Sequence, residues 1–223
     1  MNITQNQYII FILLVIGIPA YIYNHYYKNR QKKQLQFIKN YTFPTRIKEK
    51  VKEQYSHLSD EEINKVIFAL RDYFFIANRA NGKTIAMPSK VVDVAWHEFI
   101  IFTKEYEYFC RHAFGKFFHH TPTEPIANKK TTDESLKRTW KYACFKENIM
   151  PSAPDKLPLI FTIDKLLKIE DGNIYTLGNN LTNTLASHRY GCSGASCGGG
   201  SGTGCTGHNC GGGSSCGGGC GGS

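Results

Sequence analysis

The fold class is decided by residues 59–75, which read SDEEINKVIFALRDYFF. Ser59 is a typical helix N-cap, and the three acidic residues that follow it suit the first turn of a helix. Apolar side chains then recur at the spacing of one helix face. The Asn81-Gly82 pair that comes next is a helix stop signal. The segment therefore predicts a long amphipathic helix that buries one face.

Similar signals occur on both sides of this helix. Pro44 suits the first position of a helix, and Pro88-Ser89 suits the start of another that should run from about Lys90 to Ala113 and stop at Gly115. Two more helices are expected, from residues 132–134 onward and around residues 163–167. The sequence therefore predicts an all-α fold, an irregular domain of four to six helices at residues 41–190.

An uncharged, apolar segment precedes this domain. No Asp, Glu, Lys or Arg occurs between Asn2 and Tyr27, and residues 9–16 are continuously apolar. A spanning helix needs about 20 such residues, and residues 8–27 supply them if the tyrosines are interfacial. A signal peptide fits less well, because no basic residue precedes the segment and no small-residue cleavage pattern follows it. We therefore expect one uncleaved transmembrane helix at about residues 8–27, within an anchor and stem region at residues 1–40.

Basic residues cluster directly after the apolar segment, from Lys28 to Lys33. Such clusters attract anionic lipid and mark the cytoplasmic side of a membrane span. The expected location is the cell (inner) membrane, with the N-terminus outside, the domain in the cytoplasm, and the bilayer in contact with residues 8–27 and the stem. The net charge of +9 alone would permit nucleic-acid binding. No recognition motif accompanies that charge, so the sequence disfavours a nucleic-acid partner.

The C-terminal segment, residues 191–223, has a different composition. It holds sixteen glycines and no Leu, Ile, Val, Phe or Met, so the sequence predicts a disordered tail. Its cysteines are separated by four, seven, four, five and three residues, which matches no zinc-finger or iron–sulfur pattern. Loose metal capture, oxidant sensing, cross-linking if the tail faces an oxidising space, and an extension without a ligand remain open. The tail thiols are Cys192, Cys197, Cys205, Cys210, Cys216 and Cys220.

The densest cluster of chemically capable residues is the stretch DVAWHE at residues 93–98. Asp93 and His97 are four positions apart and share a helix face, so the carboxylate could orient the imidazole. Ile101 stands where a zincin helix would have its second histidine, which excludes that motif. His119 and His120 follow the predicted stop at Gly115 and could fold back toward His97. The candidate metal ligands are Asp93, His97, His119 and His120, and the metal would be a soft or borderline divalent ion such as zinc.

A structural interpretation competes with the metal site. Asp93 and His97 could instead be a buried polar pair that locks two helices together. A nucleophilic pair of Cys110 and His97 is excluded on one straight helix, because thirteen positions turn the chain through roughly 220°. No residue set identifies a reaction, so an enzyme is disfavoured. The leading hypothesis is a membrane-tethered interaction or scaffold module with an unidentified protein partner; the alternative is a metal-binding protein or metal-dependent enzyme.

A longer pattern runs through the same region. It comprises Asp93-x-x-Trp96-His97, then Tyr106, Cys110, Gly115 and His119, and further on Trp140, Cys144, residues 157–164 and Gly172-x-x-Tyr175. With these residues the chain resembles the glycine-rich domain protein-like family, which is known in plants and has membrane-anchored relatives in bacteria. The resemblance covers roughly residues 45–180 plus the glycine-rich C-terminus, and it implies a shared fold without a reaction. The plant pattern has Trp-His-x-His, and Phe99 replaces its second histidine here.

We expect the full chain to stay in the membrane fraction after a carbonate wash, because residues 8–27 are the only segment of the sequence long and apolar enough to span. Immunoblotting of the washed membranes checks this. A product shortened by about 25 residues would instead show a signal peptide.

The tail cysteines should resist a membrane-impermeant thiol reagent in intact cells, because we expect them in the cytoplasm. Labelling of these cysteines would show that the orientation is the reverse.

Overall fold

All regular secondary structure is helical in the part of the chain that the structure describes. This structure, a computed structural model, describes residue 8, residues 12–120 and residues 129–177. A π-helical turn at Leu13–Gly17 leads into α1 (Ile18–Asn40), which is followed by α2 (Thr45–Gln54), α3 (Asp60–Ala80), α4 (Lys90–Ile101), α5 (Thr103–Phe114), α6 (Lys129–Lys146) and α7 (Leu159–Leu166). Within these described ranges there is no strand, so the predicted all-α class is confirmed. The predicted tail with its six cysteines lies outside the described residues.

The central helix is α3, the one that the opening stretch of sequence predicts. Ser59 caps it as expected, because Ser59 Oγ accepts a hydrogen bond from Glu62 N and the Glu62 carboxylate accepts one from Ser59 N at 2.8 Å. The helix ends at Asn81, which is in the left-handed conformation with φ 51°. Each of the other six α-helices packs against α3. Its buried side chains therefore spread well beyond one face, and the core is built around it.

The predicted helix from Lys90 to Ala113 is in fact two helices. Phe102 leaves helical geometry (φ −78°, ψ 64°) between α4 and α5. Residues 100–103, Ile-Ile-Phe-Thr, are β-branched or aromatic and have low helix propensity. The break brings the rings of Phe99 and Phe109 to a centroid distance of 5.4 Å, whereas ten residues of straight helix would separate their backbones by about 15 Å. Aromatic packing therefore outweighs helix continuity here.

The second half of α1 also departs from the expectation of a basic stem outside the domain. Ile38 is 1% exposed in the core, and Phe37 packs against the rings of Tyr108 and Phe109. Gln34 Oε1 accepts a hydrogen bond from Asn78 on α3. These few contacts fix the helix on α3 and α5, but they are too sparse to form a recognisable apolar stripe in the sequence.

The first half of α1 belongs to the predicted membrane span. Among the described helices, none combines the length and the apolar character needed to cross a membrane. Residues 9–11 of the predicted span lie outside the described residues.

Helix α7 begins earlier than residue 163, where the sequence pattern placed it. Pro158 occupies its N-cap position, and the carboxylate of Glu147, at the end of α6, accepts a hydrogen bond from Leu159 N at 2.7 Å. This cap comes from a residue distant in sequence, which is why local signals could not place the helix start. The remaining bounds differ by a few residues, with α2 beginning after Pro44 and α6 at Lys129.

One buried carboxylate joins α7 to the start of α4. Asp164 is 2% exposed, and its Oδ1 accepts hydrogen bonds from Ser89 Oγ at 2.6 Å and from Val91 N at 3.3 Å. Its Oδ2 accepts from Lys90 N at 2.7 Å and from Asn173 N at 2.9 Å. Carboxylates are favourable at helix N-termini, where backbone N–H groups lack helical partners. The first turn of α4 is therefore held by a residue 75 positions downstream of its N-cap.

Gly172 is required beside this carboxylate. A Cβ atom at residue 172 would lie 2.7 Å from Cβ of Asp164 and 2.9 Å from Cβ of Ile169. Tyr175 is buried against the ring of Phe161 on α7, at a centroid distance of 5.0 Å. The pattern Gly172-x-x-Tyr175 in the sequence thus belongs to the structure that holds Asp164 in place.

Replacing Ile38 by Ala should lower the free energy of unfolding by about 2–5 kcal/mol, the usual cost of truncating a fully buried isoleucine. Gln36→Ala is the matched control, because Gln36 is exposed on the same helix and should change stability by only about 0.5 kcal/mol or less. Denaturant unfolding of the full chain in detergent gives both values. Equal effects would contradict the docking of α1.

Replacing Asp164 by Ala should cost at least about 3 kcal/mol, because hydrogen bonds to charged groups are each worth roughly 1.5–3 kcal/mol. Amide exchange of Lys90 and Val91 should accelerate in parallel, since their N–H groups lose their acceptor. Asp155→Ala is the control, as Asp155 is exposed in the loop before α7. A loss of stability no larger than that of the control would show that Asp164 does not fasten α4.

Candidate metal centre

Helix α4 presents Asp93 and His97 side by side at the protein surface. Their side chains are 33% and 51% exposed, and His97 Nδ1 lies 3.5 Å from Asp93 Oδ2. The interpretation of these two residues as a buried pair between helices is therefore wrong. Both lie on one helix, and no second helix packs closely enough over the face they occupy to bury them.

The tautomer of His97 follows from its hydrogen bond to the backbone. Nδ1 lies 2.8 Å from the carbonyl oxygen of Asp93. A carbonyl can only accept, so Nδ1 carries a proton, and in the neutral imidazole the lone pair is on Nε2. Histidines that bind metals commonly donate their other ring N–H to a carbonyl or carboxylate in this way. His97 is thus prepared to act as a ligand through Nε2.

The segment after α5 is fastened over α4 by an aromatic lock formed by Trp96, Tyr106 and Phe118. The rings of Trp96 and Phe118 stack at 5.2 Å with an interplanar angle of 12°. Trp96 Nε1 donates to Tyr106 Oη at 3.1 Å, and Tyr106 Oη donates to the carbonyl oxygen of Phe118 at 2.5 Å. Burial raises the pKa of Tyr106, so its hydroxyl keeps the proton that it donates. The lock fixes the backbone two residues before His120.

Gly115 turns the chain back toward this lock. It ends α5 in the left-handed conformation, with φ 73°. A Cβ atom there would collide with the guanidinium of Arg30, which lies across the turn. The backbone angle therefore favours glycine at the predicted helix stop, and a larger residue would also displace the Arg30 side chain.

His120 is thereby placed against the two residues of α4. Its Nε2 lies 2.9 Å from Asp93 Oδ1, and its side chain is 12% exposed. Its ring lies 4.2 Å from the ring of His97 and 4.3 Å from that of Trp96. One ligand atom from each of Asp93, His97 and His120 falls within 4.8 Å of the others. The sequence suggested that His119 and His120 could fold back, and the structure brings His120 to the site.

His119 is not part of this cluster. Its ring packs against Phe117 at a centroid distance of 4.8 Å. Phe99, at the second histidine of the plant pattern, is fully buried in the aromatic core and has no part in the cluster either.

The remaining residues of the sequence pattern contribute to packing. Trp140 is buried against Phe161 at 5.2 Å. Cys110 is buried beside Tyr106 and Phe118, and burial raises the pKa of its thiol. Burial also raises the pKa of Cys144, to about 12. Neither thiol is a reactive nucleophile at neutral pH. The sequence analysis excluded a Cys110–His97 pair on the assumption of one straight helix. The break at Phe102 removes that assumption, but it does not bring the two residues together.

A cavity of about 340 Å³ adjoins the cluster, with Asp93 and His120 in its wall. The side chain of Tyr73, from the central helix, also lines it. Burial, reinforced by the negative charge of Asp93, raises the pKa of Tyr73, so it remains a neutral phenol there. The cluster therefore lies at the edge of a concave space rather than in a dry seam between helices.

The rest of the cavity wall was missed by the sequence analysis. It includes Asn78 from α3 and three cations, Arg30, Lys83 and Lys116, which come from three separate parts of the chain. The cations carry no local motif. Asn78 did leave a signal, since it is a polar residue within the apolar pattern of α3 and is 6% exposed.

The comparison with protein families covers most of this architecture. The model of the UCP032817-like family matches residues 33–198. The chain belongs to the UCP032817-like family. No curated protein and no solved structure matches the chain.

The extent of the UCP032817-like match agrees with the structure of α1. The match begins at residue 33, in the half of α1 that packs on the domain, and it includes Asp93, His97 and His120. It carries no information on glycine-rich domain proteins, so the resemblance to that family stays a prediction.

Proposed function

We propose that the domain binds a divalent transition metal, zinc in the first instance, through Asp93, His97 and His120. The observation that carries the proposal is the convergence of these three side chains, within 4.8 Å, at the edge of a cavity. The sequence-based hypothesis of a metal-binding protein is therefore preferred to that of a scaffold module. The scaffold hypothesis stays a prediction, as no feature of the described residues favours a particular protein partner.

The distances fit a transition metal. Zinc binds histidine nitrogen and carboxylate oxygen at about 2.0–2.2 Å, so tetrahedral ligand atoms lie about 3.4 Å apart. The separations in the cluster run from 2.9 Å, between His120 Nε2 and Asp93 Oδ1, up to a limit of 4.8 Å. Rotation of the half-exposed His97 and a small opening of the Asp93–His120 pair would bring the three ligand atoms to separations of about 3.4 Å. Two imidazoles and one carboxylate also suit zinc, cobalt or nickel better than calcium or magnesium.

The number of ligands favours a site that engages a further molecule. Structural zinc sites are closed by four protein ligands, whereas sites with three leave a position for water or substrate. Within the described residues the cluster offers three ligands, and two of them line the cavity. A metal there would polarise a water or a ligand atom bound in the cavity. The class of reaction, if any, stays open.

Attachment to a membrane is the second part of the proposal. Support comes from the uncharged residues 8–27 and from the basic residues between Lys28 and Lys33. Tyr21, Tyr23 and Tyr26 are 67–71% exposed on α1, as expected of side chains that meet lipid headgroups. The domain would then lie in the cytoplasm at the inner membrane.

The metal site is tested on the full chain, with its six tail cysteines changed to serine so that they cannot bind metal. We expect about one zinc per chain by elemental analysis, and a visible absorption band on cobalt substitution. Loss of a residue that only hydrogen-bonds to a metal ligand typically weakens metal binding roughly 10- to 100-fold. His97→Ala and His120→Ala remove a ligand itself, so each should weaken zinc binding by more than this. His97→Ala should change stability by only about 0.5 kcal/mol, because the side chain is half exposed.

His112→Ala is the matched control. Like His97, His112 is exposed, and its Nδ1 lies 2.8 Å from the carbonyl oxygen of the residue four positions earlier, Tyr108. It has no place in the metal cluster. Zinc binding that survives His97→Ala and His120→Ala, or that His112→Ala reduces equally, would refute the site.

A further inference from the structure

The cavity beside the metal cluster has the walls of a small-molecule site. Its volume of about 340 Å³ is at the lower end of the range for ligand pockets. The walls come from α1, α3, α4, the segment after α3 and the end of α5 with the segment that follows it, together with Ser135 of α6. Since the aromatic lock and the docking of α1 hold these walls, the cavity is a formed feature of the fold rather than a gap between loose segments.

The charge of the cavity wall is positive. Arg30, Lys83 and Lys116 line it, and Asp93 is the only carboxylate among its described lining residues. Within the described part of the chain, none of these three cations forms an ion pair. The guanidinium of Arg30 lies beside Gly115, and Lys116 Nζ lies 3.4 Å from the position of a Cβ at Gly82. Cations that line one cavity and have no ion-pair partner among the described residues favour an anionic ligand.

Asn78 forms a rigid part of the cavity wall. Its Nδ2 donates to the carbonyl oxygen of Ala113 at 2.7 Å and to Gln34 Oε1 at 3.1 Å, which fixes the orientation of the amide. Its Oδ1 is buried and has no hydrogen-bond partner among the described residues. These hydrogen bonds join α3 to α1 and to the end of α5, so the cations on these elements are held around one cavity.

We propose that the cavity binds a small phosphate monoester. The phosphate would lie among Arg30, Lys83 and Lys116. A phosphate offers three charged acceptor oxygens, which matches three cations better than a single carboxylate does. This inference rests on the proposed function only in placing the metal at the other end of the ligand. Phosphate binding itself requires no metal.

The test uses the full chain in a chelator, so that its failure and that of the metal site are distinguishable. Glycerol 3-phosphate is the probe, and glycerol is the neutral control. We expect calorimetry to detect binding of glycerol 3-phosphate at millimolar concentrations or below, and a rise in melting temperature. Binding should weaken with added salt, as expected for exposed cations. Glycerol should neither bind nor raise the melting temperature.

Lys83→Gln and Lys116→Gln should each weaken this binding about tenfold, which corresponds to about 1.4 kcal/mol. Both residues are exposed, so the variants should fold. Lys104→Gln, an exposed residue of α5 that does not line the cavity, is the control and should bind as the unmodified chain does. Equal binding by all variants, or no binding by the unmodified chain, would refute the proposal.

A phosphate monoester could also be presented by a lipid headgroup. Dioctanoyl phosphatidic acid, tested beside glycerol 3-phosphate, separates the two sources. Tighter binding of glycerol 3-phosphate supports a soluble ligand, and tighter binding of phosphatidic acid, lost in Lys83→Gln and Lys116→Gln, identifies a lipid headgroup. If neither substitution weakens the binding of phosphatidic acid, the lipid binds non-specifically through its acyl chains, as a detergent does. That result would count against the cavity as the binding site.

Discussion

The position of helix α4 depends on a single buried carboxylate. Asp164 accepts four hydrogen bonds, three of them from Ser89, Lys90 and Val91 at the start of that helix. These N-terminal groups have no partners inside the helix, so the carboxylate satisfies donors that would otherwise be buried without one. Asp93 follows in the next turn and bonds back to Ser89. The orientation of the candidate ligands on α4 is therefore set from α7, which contributes no ligand itself.

The second ligand-bearing segment is fixed by aromatic packing instead. His120 lies at the end of a segment with no regular structure, yet Phe118 is held by stacking on Trp96 and by the hydroxyl of Tyr106. Tyr106 reaches Phe118 because α5 turns back on α4 at Phe102. A straight helix would have carried Tyr106 away from Trp96. The helix break that the sequence did not predict is thus what allows His120 to meet Asp93.

Local signals in the sequence were sufficient for the features that are themselves local. Ser59 and Ser89 cap the helices that they were expected to cap, and Gly115 ends α5 in the left-handed conformation. The exposure of Asp93 and His97 could not be obtained in this way, because it depends on which face of α4 the other helices cover. The cavity could not be predicted either, since its wall joins Arg30 to residues 43 and more positions away. Helix caps are encoded over four residues, whereas a cavity is encoded only by the packing of the whole chain.

Helix α1 connects the two parts of the proposed function. Its tyrosines at residues 21–26 are exposed, and from Tyr27 onward the same helix lines the cavity and packs on α3 and α5. Tyr26 and Arg30 are four residues apart, which is about 6 Å along the helix axis. If the tyrosines meet lipid headgroups, the cavity must therefore open within a few ångströms of the membrane surface. Because α1 is one continuous helix at this point, a domain attached in this way could not turn away from the bilayer without breaking either the helix or its docking through Ile38. A tether of this kind would hold the metal cluster and its cationic cavity at a fixed height above the lipid, where a phosphate from the cytoplasm or from a headgroup could reach it.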